Sequence, residues 1–474
     1  MVLRNINHSL GYHTRKIATM FFPLEKIAEE GEDSREVITE LKENRISVKV
    51  RLGDNERSAE MELRENEDVA QAMSLLLYGV LSEITGFKPP WGILYGVRPA
   101  RLMHAKTELL GEEGAKDFFR NSLVTENKID LAVEVMKSEN RIISLSSDNS
   151  FSLYISIPFC PSRCSYCSFV SHSIENAGEL IEPYLELLIK ELEATAEVAK
   201  TLGLRLETAY VGGGTPTVLS AAQLDKLLSA VERYFDLSTL RELTVEAGRP
   251  DTVTAEKLAV LYSHNVGRIS INPQTFNDEV LKNIGRRHTT AQTLRAFETA
   301  RQAGFDNINM DLIAGLSGES TDSFKNSVDC AVNLGAESVT VHNLALKSGA
   351  YLVTENEGYS LSGRTTAFDM IEYSYKKLKG DGYSPYYMYR QSKSLGNLEN
   401  TGWSKAGREC LYNVFMMDET HSVLSAGAGA VTKLKDMKSG HIERIYNFKY
   451  PYEYINGFDE IISRKEGIYS FFGE

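Results

Sequence analysis

Between Phe151 and Val341 six short apolar runs alternate with five helical ones, and this alternation constrains the fold more than any other feature of the chain. Strands are predicted over 151–157, 208–211, 242–246, 268–271, 307–313 and 338–341. Helices, with apolar residues at 3.6-residue spacing, are predicted over 180–201, 222–235, 255–264, 291–303 and 320–334. A strand can follow a parallel neighbour only through a crossover, so strand and helix in turn read as parallel βα units. Six units fall short of the eight that close a barrel. The expectation is therefore an α/β chain built on a partial (β/α)6 barrel, with chemistry at the strand ends.

The flanks follow another rhythm. Residues 46–52 alternate as Ile-Ser-Val-Lys-Val-Arg-Leu, a Gly-Asp-Asn turn follows, and 59–63 returns, which predicts a hairpin. A helix is predicted over 67–84 with Asn66 as its cap, and another over 112–137. Between them lies Trp91-Gly-Ile-Leu-Tyr-Gly-Val-Arg-Pro-Ala-Arg-Leu102, a loop with unusual aromatic and Arg content. Asp148-Asn-Ser marks a boundary. Beyond about 350 come a helix over 367–379, four Tyr within Tyr383–Tyr389, and a small-residue run over 425–430. We expect an N-terminal α+β domain (1–147), a core barrel (148–350) and a C-terminal extension packed on it (351–474). With 474 residues, the chain suits two to four domains at about 100–200 residues each.

Charge and hydropathy exclude several classes. The chain has 52 Lys+Arg against 65 Asp+Glu, a net charge of −13, which argues against nucleic-acid binding by bulk electrostatics. Its longest apolar runs fall short of the ~18 residues of a membrane span. Its first residues lack the apolar segment of a secretory signal, so a cytoplasmic location is expected.

Of five cysteines, Cys160, Cys164 and Cys167 lie within eight residues, directly after the first barrel strand and Pro158. An odd, sparse set does not suit a disulfide framework, and a tight thiol cluster in a reducing compartment suits metal or redox chemistry. Three thiolates can hold three irons of a 4Fe–4S cube and leave the fourth iron open. The same residues also read as buried core side chains, or as a zinc site with His172 as fourth ligand. Gly212-Gly-Gly-Thr-Pro-Thr217 follows a strand and reads either as a plain turn or as a backbone cradle whose exposed N–H groups take a carboxylate. Glu246 ends a strand. Asp311, on an apolar strand, needs a partner, which is either a ligand or Arg286 across the barrel mouth. Cys330 and Cys410 read as small buried residues, and His342 and His421 as ordinary core or surface histidines. The Tyr383–Tyr389 run reads as packing or as a wall for a flat macrocycle. Lys393, Lys405 and Arg408 are either solvated or available to substrate carboxylates.

The stretch Tyr154-Ile-Ser-Ile-Pro-Phe-Cys160-Pro-Ser-Arg-Cys164-Ser-Tyr-Cys167 has the Cys-x3-Cys-x2-Cys spacing of the radical S-adenosylmethionine superfamily. With its lead-in, it resembles the oxygen-independent coproporphyrinogen III oxidase family, and the segment from Trp91 resembles the HemZ-type branch. The resemblance implies a 4Fe–4S cluster on the three cysteines and one or two S-adenosylmethionine molecules. It implies that Tyr154 contacts the cofactor, that Gly213, Gly214 and Thr215 meet its amino-acid end, and that Glu246 binds the first molecule. Gln274, Arg286 and Asp311 match positions that hold a second one, and Ala345 and Val431 match apolar contacts. The implied reaction is anaerobic oxidative decarboxylation of coproporphyrinogen III to protoporphyrinogen IX in heme biosynthesis. The implied electron donor is a flavodoxin or ferredoxin. Heme chaperoning and radical attack on another tetrapyrrole such as heme are the alternatives. The chain departs from the oxidase in carrying Phe169 where that group has a fourth Cys. It departs from the chaperones in lacking their His-Asn-x-x-Tyr-Trp motif, since the comparable stretch is Leu411-Tyr-Asn-Val-Phe-Met-Met-Asp418.

Overall fold

The computed structural model of the protein describes residues 1–168, 171–345 and 362–473. Phe169 and the boundary expected at 350/351 lie outside them. Near the N-terminus, β1 (Val2–Ile6) pairs in parallel with β2 (Arg35–Lys42), and β2, β3 (Arg45–Leu52) and β4 (Asn55–Glu62) form an antiparallel meander. The alternation read in 46–52 sends Ile46, Val48 and Val50 inward, where they meet Leu77 and Leu81 of the helix Val69–Thr85. Asp68, not Asn66, caps this helix. Its carboxylate accepts from the N–H groups of Ala70 and Gln71, while Asn66 turns the chain at φ 63°.

The six strands predicted for the barrel are β5 (Ser150–Ile157), β6 (Arg205–Gly213), β7 (Glu242–Glu246), β8 (Arg268–Ser270), β9 (Ile308–Ala314) and β10 (Ser338–Asn343). All pair in parallel and in sequence order, with the predicted helices between them. Two of those helices start on a reciprocal cap, Ser220 with Gln223 and Thr289 with Gln292.

The segments that follow lengthen this sheet at both edges. β11 (Ser384–Arg390) and β12 (Glu399–Ser404) add antiparallel strands beyond β10. At the other edge β13 (Ser422–Ala426) lies parallel to β5, and β14 (Val431–Lys435) and β15 (Ile442–Tyr446) continue it as a hairpin. The C-terminal residues thus extend the barrel's sheet as well as packing against it. The helices Pro99–Asn121 and Glu126–Ile143 give Met103, Phe119 and Met136 to the same core as Phe151 and Ile155 of β5. The single helix expected over 112–137 is therefore two, because the chain turns after Asn121, and Gly111 at φ 74° kinks the first of them. Among the described residues no helix is long and apolar enough to cross a membrane.

Candidate functional site

The strand ends open onto one cavity of about 800 Å³. Tyr154, Cys160, Cys164, Cys167, Gly213, Gly214, Thr215, Glu246, Gln274, Arg286, Asp311, Ala345 and Val431 all line it. Residues from positions 154 to 431 converge because parallel strands present their C-terminal ends on one side.

The cysteine loop leaves β5 at Pro158. Phe159–Cys160 pairs with His172–Ser173, so the loop returns to its own stem. Ser165 donates its N–H to the Ile284 carbonyl, and the Ser162 hydroxyl donates to that of Gly285, which fastens the loop to the turn before Arg286. Two buried guanidiniums flank the thiols. Arg249 Nη1 stands 3.7 Å from Cys164 Sγ and also donates to Ser162, while Asp251 holds its Nε at 3.2 Å. Arg286 donates to the Asn272 carbonyl at 2.6 Å and to the Tyr166 hydroxyl at 3.1 Å. The Thr215 hydroxyl lies 3.5 Å from Cys160 Sγ. Among the described residues no three His, Cys, Asp or Glu side chains converge as a single metal ion requires, and the His172 ring packs against Tyr450 and Tyr452. Three thiols spread around a loop, with cations beside them, suit a larger and negatively charged iron–sulfur cube.

The glycine run works differently from the cradle expected. The N–H of Gly214 is donated to the Ile157 carbonyl and that of Thr215 to the Phe159 carbonyl, each at 2.7 Å. These donors are spent on the first strand, so they cannot take a carboxylate. A Cβ on Gly214 would stand 2.4 Å from the Phe159 oxygen, and Gly213 holds φ at 109°. The glycines bring β6 against the stem of the cysteine loop.

Farther along the sheet the cavity wall is polar. Tyr210 donates to Glu246 Oε1 at 2.6 Å, and burial pushes this carboxyl up to about 7 against that hydrogen bond. Asp311 accepts from Asn309 at 2.7 Å and faces His342 Nε2 at 3.7 Å. Burial alone would raise its carboxyl, but His342 and Asn309 hold it below its ordinary value. Among the described residues no ion pair joins Arg286 to Asp311, so the two do not close the barrel mouth; each turns to other partners. Gln274 keeps a left-handed backbone at φ 69°, held between Asp311 and Ile313, and its Oε1 is buried without a partner. Asn272 Oδ1, Ser270 Oγ and Arg286 Nε are likewise buried and unpaired. Strain and orphaned polar atoms on one wall fit a polar ligand that completes their hydrogen bonds.

Aromatic rings form the remaining walls. Tyr154, Tyr210 and Tyr412 form a triangle of near-parallel rings, Tyr210 and Tyr412 at 4.6 Å and Tyr154 at 6.3 and 6.2 Å from them, and Tyr387 and Tyr389 stack at 6.4 Å. Strand alternation divides the 383–389 run, sending Tyr387 and Tyr389 to the cavity and Tyr386 away from it, while Tyr383, before the strand, donates its hydroxyl to the Ala336 carbonyl. Several readings of single residues change. His342 lines the cavity between Asp311 and Tyr389, whereas His421 is buried between Ser146 and Ser152. Lys405 and Arg408 bind Gly335 and Asp306, away from the cavity. Arg249, Arg268, Asn272 and Tyr412 line the cavity without having been singled out in the sequence. For Arg249 a signal existed: it follows Glu246 by three residues at a strand end, between Gly248 and Pro250.

Comparison with known proteins bears on this geometry. Residues 154–331 match the Radical SAM superfamily model. The chain is 38% identical over 404 residues to the oxygen-independent coproporphyrinogen-III oxidase-like protein HemZ of Bacillus subtilis, covering 84% of this chain and 81% of that one. It is 35% identical over 281 residues to the heme chaperone HemW of the same organism, covering 58% and 70%. The solved structure of Escherichia coli coproporphyrinogen III oxidase (HemN), a radical SAM enzyme, superimposes with a TM-score of 0.52 at 20% identity, over 68% of this chain and 72% of that one.

Proposed function

The chain belongs to the radical SAM superfamily, within its oxygen-independent coproporphyrinogen-III-oxidase-like group, and from that premise we propose that it oxidatively decarboxylates a propionate-bearing tetrapyrrole, converting coproporphyrinogen III to protoporphyrinogen IX. The superfamily uses a 4Fe–4S cluster and S-adenosylmethionine, which when bound supply hydrogen-atom abstraction at an unactivated carbon. The protein's part is holding, orienting and excluding water. Cys160, Cys164 and Cys167 would hold three irons, with Arg249 and Arg286 offsetting their negative charge. Tyr154 and Glu246 would hold S-adenosylmethionine, with the side-chain-free face of Gly213 and Gly214 letting it approach the cysteine loop closely. Gln274 and Asp311, with the apolar Ala345 and Val431, would hold a second molecule. The stacked tyrosines would take the faces of the macrocycle. In this reading the barrel, proposed as 148–350, supplies most of the cofactor contacts, the part proposed as 351–474 completes the cavity with Tyr387, Tyr389, Tyr412 and Val431, and the part proposed as 1–147 stays outside its lining. The protein would work in the cytoplasm with a flavodoxin or ferredoxin as electron donor.

The observation that carries this reading is that one cavity joins three thiols, a wall of unpaired polar atoms and two aromatic walls. The test is anaerobic reconstitution followed by mass spectrometry with coproporphyrinogen III. Expected are 5′-deoxyadenosine and loss of two carboxyl groups from the tetrapyrrole. A stoichiometric heme complex without 5′-deoxyadenosine would select the chaperone reading, and a product from heme but none from coproporphyrinogen would move the substrate.

The second cofactor has its own test. Equilibrium binding to the reconstituted protein is expected to give two equivalents of S-adenosylmethionine, and Asp311→Asn to lose one while keeping the cluster-bound equivalent. One equivalent in both proteins would remove the second site.

A further inference from the structure

The cavity wall farthest along the chain is cationic, although the chain as a whole carries a net charge of −13. In the hairpin β14–β15, Lys433 stands directly opposite Arg444, and Val431 opposite Tyr446. All four line the cavity. Like charges directly opposed on antiparallel strands repel, so this pair weakens the hairpin unless an anion lies between them.

Part of that anion is Glu419, itself a costly placement. It is a non-glycine residue at φ 60° with a side chain only 6% exposed. Its carboxylate is held tightly by Arg98 at 2.5 Å and Arg101 at 2.6 Å, which come from the end of the Trp91–Leu102 segment. Arg444 and Lys433 reach it only at 3.3 and 3.5 Å. Lys433 has otherwise only long contacts, 3.3 Å to the Met416 carbonyl and 3.4 Å to its sulfur. Lys435 and Asp418 lie close by. Four cations therefore surround the Glu419 carboxylate, and the two on the cavity side are the loosely held ones. Arg98 and Arg101 occupy Glu419 from behind, which leaves Lys433 and Arg444 with donor capacity facing the cavity.

We propose that Lys433 and Arg444 form a carboxylate-binding subsite, which anchors an acidic side chain of the substrate on the β14–β15 wall. The proposal rests on the tetrapyrrole reading of the cavity for the identity of the acid, since the propionates of such a macrocycle are its only charges. It also explains the two arginines of the Trp91–Leu102 segment. They hold Glu419, and Glu419 keeps the opposed cations in place when no acid is bound.

The test is calorimetric titration of the cluster-loaded full chain with two probes. One is coproporphyrin III. The other is benzene-1,2,4,5-tetracarboxylate, which carries the same number of carboxylates without a macrocycle. Arg444→Gln and Lys433→Gln are each expected to weaken both probes about tenfold, the worth of one charge-assisted hydrogen bond. Arg408→Gln, whose guanidinium pairs with Asp306 away from the cavity, is expected to bind both as wild type does. Unchanged coproporphyrin binding in Arg444→Gln and Lys433→Gln would overturn the subsite and leave the tetrapyrrole reading standing. Equal losses in Arg408→Gln would also overturn it, because the effect would then follow the net charge of the chain and not a local contact. If wild type binds the benzene tetracarboxylate but no porphyrin, and loses it in the two variants, the subsite stands and the tetrapyrrole reading fails. If wild type binds neither probe, both fail.

Discussion

Replacing any one of Cys160, Cys164 and Cys167 with alanine is expected to abolish cluster assembly, taking anaerobically reconstituted protein from about four irons and four sulfides to almost none. Each substitution strips one of only three protein ligands. The surroundings cannot compensate. Arg249 beside Cys164 and Thr215 beside Cys160 are donors to sulfur and bind no iron themselves. Cys330→Ala and Cys410→Ala are expected to keep the full complement. Neither lines the cavity, and Cys410 is buried beside the Glu242 carboxylate, where burial pushes its thiol up. Iron and sulfide analysis with the visible absorption of the cluster measures the outcome. A cluster that survives Cys164→Ala would overturn the ligand assignment.

The largest stability effect is expected at Lys128. Its ammonium is 1% exposed and bonds Glu399 at 2.7 Å and Glu372 at 2.8 Å. Glu399, equally buried, also accepts from the Trp91 indole at 2.7 Å. This network joins the helix Glu126–Ile143, the strand β12 and the loop that carries Arg98. Burial opposes both charges, yet the pairing holds the lysine above and Glu399 below their ordinary values, so the charged forms win. Lys128→Met would leave two carboxylates facing each other in a buried space, at a cost on the order of 3–5 kcal/mol. Lys128→Met/Glu399→Gln should recover part of that loss, since only the unpaired charge is expensive. The chain has two tryptophans, Trp91 and Trp403, and one of them sits on this network, so fluorescence during urea unfolding reads the effect directly. A midpoint unchanged in Lys128→Met would show the network to be dispensable.

What the chain reveals without its structure follows from local periodicity. Glu242–Glu246 forms a strand and Ala255–Ser263 a helix almost where the apolar spacing puts them, because the 2-residue and 3.6-residue repeats are properties of the backbone itself. The three clustered thiols and the order of the six parallel strands are legible for the same reason, since a loop and a crossover are short-range events. The cap at Asp68 rather than Asn66 is missed by only two residues, where neighbouring polar side chains compete for the same N–H groups.

Tertiary structure alone decided the rest, because it depends on partners that spacing cannot supply. Which edge of the sheet receives β12 and which receives β13 is a matter of non-local pairing. The N–H groups of Gly214 and Thr215 look free in the sequence, and their loss to Ile157 and Phe159 becomes visible only when β5 and β6 lie side by side. Arg286 and Asp311 invite each other as opposite charges, yet the carbonyl of Asn272 and the amide of Asn309 are nearer. Arg98 and Glu419 stand 321 positions apart, yet the guanidinium of one donates to the carboxylate of the other. Electrostatic and hydrogen-bond partners are chosen by distance in space, and only the packed sheet sets that distance.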